Sequence, residues 1–558
     1  MSTPPSPSEV RYDGEYYPSG ITWDMPLRKE TLVEVFDRSV ERFRHRPCTN
    51  FLGQGMSFGD MGALTEQIAG GLTRLGVGPT VHVGLVLPNT PYFIACFYAI
   101  LKLGGTVVSF NPLYTVDELA HQARNAEVNI LITVDISSVF EKVAALVDQG
   151  VIEKVVVCPF ADILPPVKKL LFNLFKRSEV ATVPDHGAFI DLETLLEGAG
   201  DYERPDIHPE DVAVLQYTGG TTGTPKGAML THANLTINLQ QVRAWFTDVV
   251  DGQERMMGVL PFFHVFALTG VMNLSIAHGF EIILMPRFKL EDTLKLIRAH
   301  RVTLFPGVPT IFGAIINSKS ARPEALSSLK YAISGGAPLP LEIRKGFEAM
   351  TGYSLVEGYG LSETSPVVTI NPFSGRRPDN SIGLPVPGTL TSIRSLDDPS
   401  QPVPLGEKGE LCVAGPQVMK GYWKQPEETA RVFIGNYLRT GDVGYADRDG
   451  FIYLVDRIKD IIIASGFNIY PRRIEDAIHA HPAVAECTVI GIKDDYRGEA
   501  PKAFVKLRPG ARLTVEELLH HLEPRLSKIE MPAEIEFRDE LPKTMIGKLS
   551  KKALREET

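Results

Sequence analysis

Short apolar runs alternate with longer amphipathic stretches over the first three hundred residues of the chain. The apolar runs are rich in β-branched residues, which favour strands, and the stretches between them have helical periodicity. The candidate strands are 81–87, 129–134, 154–158, 212–217 and 281–285, and the candidate helices are 92–103, 117–126 and 138–147. Strands separated by helices pair in parallel and carry helices on both faces. The pattern therefore predicts an α/β fold with mostly parallel sheets flanked by helices.

The pattern changes after about residue 456. A short apolar run, a helix, two further strands, a second helix and a basic tail follow, which is the pattern of a small α+β domain. We predict a flexible N-terminal tail over 1–25, a large N-terminal domain over 26–457 and a small C-terminal domain over 458–558.

Charge and cysteine content exclude several classes of protein. The 558 residues carry a formal net charge of −10, so any phosphate site has to be built locally, and nucleic acid is disfavoured as a partner. The odd number of scattered cysteines fits a reducing cytoplasm. The chain shows neither the pattern of a signal peptide nor an apolar stretch long enough to span a bilayer, so we predict a cytoplasmic protein.

One segment departs from the general pattern. Residues 167–177, VKKLLFNLFKR, place leucines and phenylalanines beside four basic residues on a predicted short helix. An ordinary surface helix that packs its apolar face explains the pattern. A helix that rests on anionic lipid explains it too, which leaves peripheral membrane contact as an open alternative.

The strongest chemical signal is the segment YTGGTTGTPKGA at 217–228, which follows a predicted strand. Glycines let successive backbone N–H groups point into one concavity, threonine hydroxyls add donors, and a lysine supplies a cation for phosphate. A lysine preceded by proline and not followed by Ser or Thr differs from the common P-loop. The predicted phosphate-binding residues are Thr218, Gly219, Gly220, Thr221, Thr222, Gly223 and Lys226.

This segment resembles the phosphate-loop signature of the adenylate-forming superfamily, which includes acyl–CoA synthetases, peptide-synthetase adenylation domains and insect luciferases. Further signatures follow in the order of the family: GYGLSET at 358–364, LRTGD at 438–442, DRIK at 456–459 and PKTMIGK at 542–548. The phrases NPLYT at 111–115, SIGLPVPG at 381–388 and GPQVMKGYW at 415–423 are most similar to bacterial long-chain fatty-acid–CoA ligases. The resemblance covers most of the chain from about residue 30.

The resemblance implies an ATP site. Tyr359 would stack on adenine, with Gly336 and Ala337 at the edge of the base. Asp442 would accept the ribose hydroxyls, and Arg457 is a planar donor suited to ribose and phosphate oxygens. Gly358 and Gly360 would allow close approach of the backbone, and Ser362 would complete the set.

The resemblance also assigns catalytic and metal-binding residues. Glu363 would hold Mg²⁺ together with Thr218. His264 lies in an apolar run, where a core residue is the ordinary interpretation, but the matching position in the family lines the pocket for the carboxylate and acyl groups. Lys548 would reach the substrate carboxylate and the α-phosphate and neutralise charge as the acyl-adenylate forms.

Transfer to coenzyme A needs a second arrangement. In the family the C-terminal domain is mobile and rotates about a hinge, here Lys459. The rotation would exchange the catalytic lysine for the loop around Ser465, Gly466 and Phe467, which would meet CoA. One departure concerns the acyl pocket: Leu268 stands where some members carry a gating tryptophan.

We therefore expect an ATP- and Mg²⁺-dependent fatty acid–CoA ligase, a monomer or homodimer. A CoA ligase for a dicarboxylate or aryl acid, an acyl-AMP ligase that loads a carrier protein, and a non-catalytic nucleotide sensor with the same fold are the alternatives. The sensor is disfavoured because Glu363, Asp442 and Lys548 are all present.

Overall fold

The computed structural model of the protein describes residues 9–10, 16–218, 225–464, 467–494, 497–544 and 547–558. It confirms the α/β class, with a large N-terminal part of sheets flanked by helices and a small C-terminal part. Among the described residues, the helices are all too short or too polar to cross a bilayer.

The strands, in chain order, are β1 (Glu9–Val10), β2 (Pro47–Phe51), β3 (Gln54–Ser57), β4 (His82–Val86), β5 (Thr106–Ser109), β6 (Ile130–Val134), β7 (Lys154–Cys158), β8 (Phe189–Asp191), β9 (Val212–Tyr217), β10 (Gly227–Thr231), β11 (Arg255–Gly258), β12 (Glu281–Leu284), β13 (Leu304–Gly307), β14 (Tyr331–Ser334), β15 (Leu355–Gly360), β16 (Val367–Ile370), β17 (Ser381–Pro385), β18 (Leu390–Arg394), β19 (Gly409–Ala414), β20 (Phe433–Ile434), β21 (Tyr437–Ala446), β22 (Ile452–Arg457), β23 (Ile462–Ala464), β24 (Phe467–Ile469), β25 (Val484–Asp494), β26 (Gly498–Leu507) and β27 (Glu534–Phe537).

The α-helices are α1 (Leu32–Arg42), α2 (Phe58–Arg74), α3 (Pro91–Lys102), α4 (Val116–Asn125), α5 (Ser137–Asp148), α6 (Pro166–Phe175), α7 (Leu192–Leu196), α8 (His232–Trp245), α9 (Val265–Ala267), α10 (Leu274–His278), α11 (Leu290–His300), α12 (Pro309–Ile316), α13 (Leu341–Thr351), α14 (Pro426–Val432), α15 (Pro471–His479), α16 (Val515–Leu522) and α17 (Lys551–Glu557). A π-helical turn, Leu268–Asn273, joins α9 to α10.

A seven-stranded sheet, in the order β10-β9-β5-β4-β6-β7-β8, is parallel except at the β9–β10 pair. Its strands β4, β5 and β6 are buried along their whole length, as expected for strands covered on both faces. Every residue of α3 is buried, so this helix lies inside the domain rather than on its surface. The strands and helices predicted in this region are confirmed to within a few residues.

The largest sheet is mixed. Strands β2, β12, β11, β13, β14 and β15 are parallel neighbours, and from β15 onward through β16, β17, β22, β21, β19 and β18 the pairs are antiparallel. The prediction of mostly parallel sheets thus describes only one half of this sheet. Turns too short for a crossover helix join most strands in the other half, and such connections produce antiparallel pairs. Strand β15 lies at the junction of the two halves.

The C-terminal part has its own sheet and core. Strands β24, β23, β26 and β25 are antiparallel, and β27 pairs in parallel with β26. Helices α15 and α16 contribute Ile474, Ile478, Leu518 and Leu522 to a core that is separate from those of the larger part. The predicted domain boundary near residue 458 remains a prediction, but all strands of this sheet follow it.

The N-terminal residues that the structure describes contact the body of the larger part. The indole nitrogen of Trp23 donates to the carbonyl of Thr389 at 2.7 Å, and the Gly388 amide donates to the carbonyl of Trp23 at 2.8 Å. Strand β1 pairs with β18. All five cysteines are buried and none forms a disulfide; they are Cys48, Cys96, Cys158, Cys412 and Cys487.

We expect Gly383→Ala to destabilise the antiparallel half of the large sheet. Gly383 has φ +98°, and a Cβ atom there would lie 2.1 Å from the carbonyl carbon of Ile370 and 2.3 Å from the amide nitrogen of Asn371. Backbone strain plus this overlap should cost about 3 kcal/mol and lower the midpoint of thermal unfolding by several degrees. Gly375→Ala is the control, because Gly375 has φ +82° and open space around it. Equal shifts for both variants would contradict the steric argument.

Candidate active site

The buried carboxylate of Asp442 is the centre of the site. Its position on β21 is directly opposite Arg457 on β22, and the Arg457 Nε donates to Asp442 Oδ1 at 2.8 Å. The hydroxyl of Tyr359, at the end of β15, donates to Asp442 Oδ2 at 2.7 Å. The Asp442 carboxylate is the main reason that the pKa of Arg457 is raised. Three predicted nucleotide-binding residues therefore meet at one carboxylate.

Tyr359 is held between two glycines that differ in their steric roles. A Cβ atom at Gly360 would lie 1.9 Å from the carbonyl oxygen of Pro366, so only glycine fits there. A Cβ atom at Gly358 would make ordinary contacts, the nearest at 3.7 Å from Thr369 O. Burial and then Asp442 raise the pKa of the Tyr359 hydroxyl, which keeps it protonated as a donor.

Lys548 reaches this group from the C-terminal end of the chain. The Thr310 hydroxyl, on α12 of the larger part, donates to the carbonyl of Gly547 at 3.0 Å, and Gly547 has φ +79°. Burial, and next the cation of Arg457, lower the pKa of the Lys548 amine to about 8, while Asp442 opposes that shift. The charge of Lys548 thus interacts with those of Asp442 and Arg457.

His264 faces the same space. It precedes α9, and its Nδ1 accepts a hydrogen bond from the Phe266 amide at 3.3 Å. Burial, and next the charge of Lys548, lower the pKa of His264 to about 4, so the ring is neutral at physiological pH. Leu268, four residues later, is fully buried in the π-helical turn.

A second group of side chains surrounds Glu363 and Lys226. The Tyr422 hydroxyl donates to Glu363 Oε1 at 2.7 Å, and the ring of Tyr422 lies under Lys226, with Nζ 5.3 Å from the ring centroid. Lys226 Nζ also forms an ion pair with Glu428 at the start of α14. Thr218 donates its backbone N–H to the carbonyl of Lys226 at 2.9 Å, which brings the two ends of the glycine-rich loop together.

A cavity of about 240 Å³ lies beside Glu363 and Tyr422. Glu363 and Tyr422 line one side, and the segment that leads to Asp442 lines another; the remaining lining residues are Leu361, Glu410, Arg431, Val432, Leu438, Arg439, Thr440 and Gly441. Glu410 is buried and accepts from the Arg439 Nε at 2.8 Å and from the Gly441 amide at 3.1 Å. These two bonds hold the LRTGD segment in place.

Some of the other predicted residues have defined positions in the structure, and the rest lie outside the described residues. Gly336 and Ala337 lie in the loop after β14, where Gly336 has φ +77°, and Ser362 begins a short 3₁₀ turn with Glu363. Lys459 lies between β22 and β23, and burial lowers its pKa. Phe467 is 60% exposed on β24. Gly219, Gly220, Thr221, Thr222, Gly223, Ser465 and Gly466 lie outside the described residues.

Sequence reasoning missed two residues of the site, Tyr422 and Glu428. Tyr422 belongs to the phrase GPQVMKGYW, so its neighbourhood carried a signal, but nothing in the sequence indicated that its hydroxyl meets Glu363. Glu428 is 202 positions from Lys226, and an isolated acid at the start of a helix gives no sign of a distant partner.

Comparison with known proteins covers nearly the whole chain. The family model of the AMP-binding enzymes matches residues 36–423, and the model of the AMP-binding enzyme C-terminal domain matches residues 473–548. A long-chain-fatty-acid–CoA ligase of Bacillus subtilis is 44% identical over 545 residues, which is 97% of each chain.

Two solved structures are similar over most of their length. ATP-bound MatB from Rhodopseudomonas palustris is 28% identical, with a TM-score of 0.83 over 94% of this chain and 98% of the other. The o-succinylbenzoate coenzyme A synthetase of Bacillus subtilis, in complex with ATP and a magnesium ion, is 26% identical. Its TM-score is 0.77, over 93% of this chain and 99% of the other.

We expect the Lys548 amine to titrate near pH 8 in the protein without ligands, because burial and Arg457 both disfavour its charged form. Competitive acetylation at a series of pH values, followed by peptide mass spectrometry, measures the midpoint. Arg457→Gln removes one cause of the shift, so the midpoint should move upward. Arg448→Gln, at an exposed arginine on the turn between β21 and β22, should leave it unchanged. An Arg457→Gln midpoint equal to that of the unmodified protein would contradict the assignment.

Proposed function

The chain belongs to the AMP-binding enzyme family, and we propose that it is an ATP-dependent fatty acid–CoA ligase. In the first half-reaction a carboxylate oxygen attacks the α-phosphorus of ATP, which gives acyl-AMP and diphosphate. In the second, the thiol of coenzyme A attacks the acyl carbonyl and AMP leaves. The observation that carries the proposal is the convergence of Lys548, His264, Arg457 and Asp442 from both parts of the chain.

Asp442 and Tyr359 form the nucleoside end of the proposed site. A buried carboxylate held by Arg457 is positioned to accept ribose hydroxyls, and the Tyr359 ring offers a flat face for adenine. A Cβ atom at position 358 would make only ordinary contacts within the protein, so packing does not require glycine there. We assign the glycine to the close approach of a ligand beside the Tyr359 ring. Gly336 and Ala337 would lie at the edge of the base.

Lys226, Thr218 and the loop between them form the proposed phosphate end. Lys226 is held by Glu428, and a phosphate of ATP would replace that carboxylate as its anionic partner. Glu363 keeps its second carboxylate oxygen for a metal, since Tyr422 donates to Oε1. Mg²⁺ commonly takes one or two carboxylates and completes its shell with phosphates and water, so this donor set fits it. When bound, Mg²⁺ would neutralise phosphate charge.

Lys548 and His264 would act on the substrate acid. The charged amine would bind the attacking carboxylate and the α-phosphate and stabilise negative charge there without forming a covalent bond. Neutral His264, whose Nδ1 accepts from the Phe266 amide, can donate one hydrogen bond from Nε2 to the carboxylate, and its apolar neighbours suit an acyl chain. We assign this arrangement to the adenylation step.

Thioester formation would need the C-terminal domain to move. We propose domain limits of 26–457 and 458–558, with Lys459 as the hinge and Ser465, Gly466 and Phe467 as the loop that meets coenzyme A. Phe467 is exposed, so a rotation could bring it to the pocket without disrupting hydrophobic packing.

The enzyme would act in the cytoplasm with peripheral membrane contact, as a monomer or homodimer.

We expect the purified protein to form AMP and acyl–CoA from ATP, Mg²⁺, CoA and fatty acids, with kcat/KM rising with chain length until the pocket is full. Measuring AMP release over saturated acids of increasing length tests this. Benzoate, succinate and a carrier protein in place of CoA test the alternatives. Preference for an aryl or dicarboxylic acid, or for the carrier, would replace the fatty acid in the proposal, and no AMP release with any acid would refute it.

Lys548→Ala should separate the two half-reactions. Acyl-adenylate formation should fall by about two to three orders of magnitude, because the variant loses a charge aimed at the transition state. Thioester formation from supplied acyl-adenylate should stay within a few-fold of the unmodified enzyme. Lys552→Ala changes an exposed lysine of the same segment and should affect neither step. Equal losses in both half-reactions for Lys548→Ala would remove Lys548 from its assigned role.

A further inference from the structure

Helix α6, Pro166–Phe175, presents its apolar residues to solvent. None of its ten residues is buried. The described chain has twelve large apolar residues that are exposed, and five of them lie on this one helix. Helices of water-soluble domains turn such residues inward. On α6 the large apolar side chains thus face solvent instead of the core.

The five residues form one stripe. Val167 is 69% exposed, Leu170 and Leu174 are 60% and 64% exposed, and Leu171 and Phe175 are 47% and 76% exposed. Their spacing of three and four places them along a single face of the helix. Phe172 lies outside this face and packs on Phe160, with ring centroids 5.5 Å apart. We call the five residues the α6 stripe.

A shallow apolar groove continues from the stripe. Its volume is about 350 Å³, and Leu52, Phe160, Leu164 and Phe172 line it together with Leu171 and Phe175 of the stripe. Lys168 also lines it and donates from Nζ to the carbonyl of Leu52 at 2.7 Å, which ties α6 to the turn between β2 and β3. The helix is therefore attached to the body of the domain along one side and open along the other.

The charge around the stripe has the opposite sign from the charge of the whole chain. Residues 160–180 contain four basic residues, Lys168, Lys169, Lys176 and Arg177, and two acidic ones, Asp162 and Glu179, a balance of +2 in a chain of net charge −10. The two acids pair with Lys169 and Lys176 in exposed ion pairs, which contribute little in water and can exchange for other anions.

We propose that the α6 stripe and its basic rim form a docking surface for an anionic lipid bilayer. Large apolar side chains on one face of a short helix, with Lys and Arg beside them, are the features that let a helix lie in the headgroup region. The apolar residues would enter the acyl boundary while the cations meet lipid phosphates. Nothing in this surface depends on the catalysed reaction.

A second copy of the chain fits this surface less well. A two-fold contact through α6 would bring the same basic residues of both copies together, because an isologous interface pairs a patch with itself. Four cations from each copy would then repel across a short distance, whereas a bilayer with phosphate headgroups supplies the complementary charge.

The surface also lies within the part of the chain that carries His264. Tyr92 of α3 donates its hydroxyl to the carbonyl of Pro159, next to Phe160, at 3.2 Å. Phe93 of the same helix packs on Phe262, with centroids 5.6 Å apart. All residues of the groove and stripe lie between 52 and 176, within the larger part of the chain.

Vesicle sedimentation of the full-length protein, without ATP or CoA, tests the proposal. We expect sedimentation with vesicles of phosphatidylcholine containing about one-third phosphatidylglycerol, and much less with phosphatidylcholine alone or at high salt. Leu170→Ser with Leu174→Ser and Phe175→Ser should lower the bound fraction roughly tenfold. Neutralising Lys168, Lys169, Lys176 and Arg177 with glutamine should remove the preference for anionic vesicles.

The matched controls change exposed residues elsewhere. Leu113→Ser with Leu405→Ser removes exposed leucines away from α6, and Lys295→Gln with Lys552→Gln removes exposed lysines; both should bind vesicles like the unmodified protein. Unchanged binding by the stripe variant, or absence of binding by the unmodified protein, overturns the proposal. A stripe variant that converts a dimer to a monomer in sedimentation equilibrium without changing vesicle binding assigns the surface to a second copy instead. Unchanged AMP release in the stripe variant shows that it is folded.

Discussion

The carboxylate of Asp442 connects the elements that make up the site. It accepts from Tyr359 on β15 and from Arg457 on β22, so β15, at the junction of the two halves of the large sheet, is linked to β21 and β22 of the antiparallel half through one buried charge. A buried carboxylate is costly unless it is paired and hydrogen-bonded, and here both oxygens have a donor. Loss of either donor would leave part of that charge uncompensated, so the positions of Tyr359 and Arg457 depend on each other.

Several positively charged side chains, including Lys548 from the C-terminal residues, surround the Asp442 carboxylate. Burial, and next the charge of Arg457, lower the pKa of both Lys548 and Lys459, and the charge of Lys459 lowers that of Lys548 further. Asp442 and Asp460 offset only part of that repulsion. Anionic ligands would remove the rest, since ATP and a carboxylate bring the missing negative charge. The proposed ligands would therefore make this arrangement electrostatically more favourable.

The sequence alone predicts the features that depend on short stretches of consecutive residues. Short apolar runs predict strands β4, β6, β7 and β9, and the family motifs point to Tyr359, Asp442, Arg457 and Lys548 as site residues. Tyr422 and Glu428 could not be found in this way, because their roles arise from contacts with Glu363 and Lys226 that are distant along the chain. The antiparallel half of the large sheet was missed because apolar runs do not reveal the direction in which strands pair. The exposure of the apolar residues of α6 likewise depends on how the helix is attached, and its sequence is compatible with a packed surface helix as well as with a helix that rests on lipid.

The burial of the five cysteines has a practical consequence. The thiol pKa values of Cys48, Cys158, Cys412 and Cys487 are raised mainly by burial or by a neighbouring thiol, so little thiolate is present at neutral pH, and Cys96 is equally enclosed. Native protein should therefore be nearly inert to maleimide reagents. A single cysteine introduced on the surface, for example Leu174→Cys, would then be the one site that takes up a fluorophore or spin label. The natural sequence can thus serve as a background for spectroscopic probes without prior removal of its own thiols.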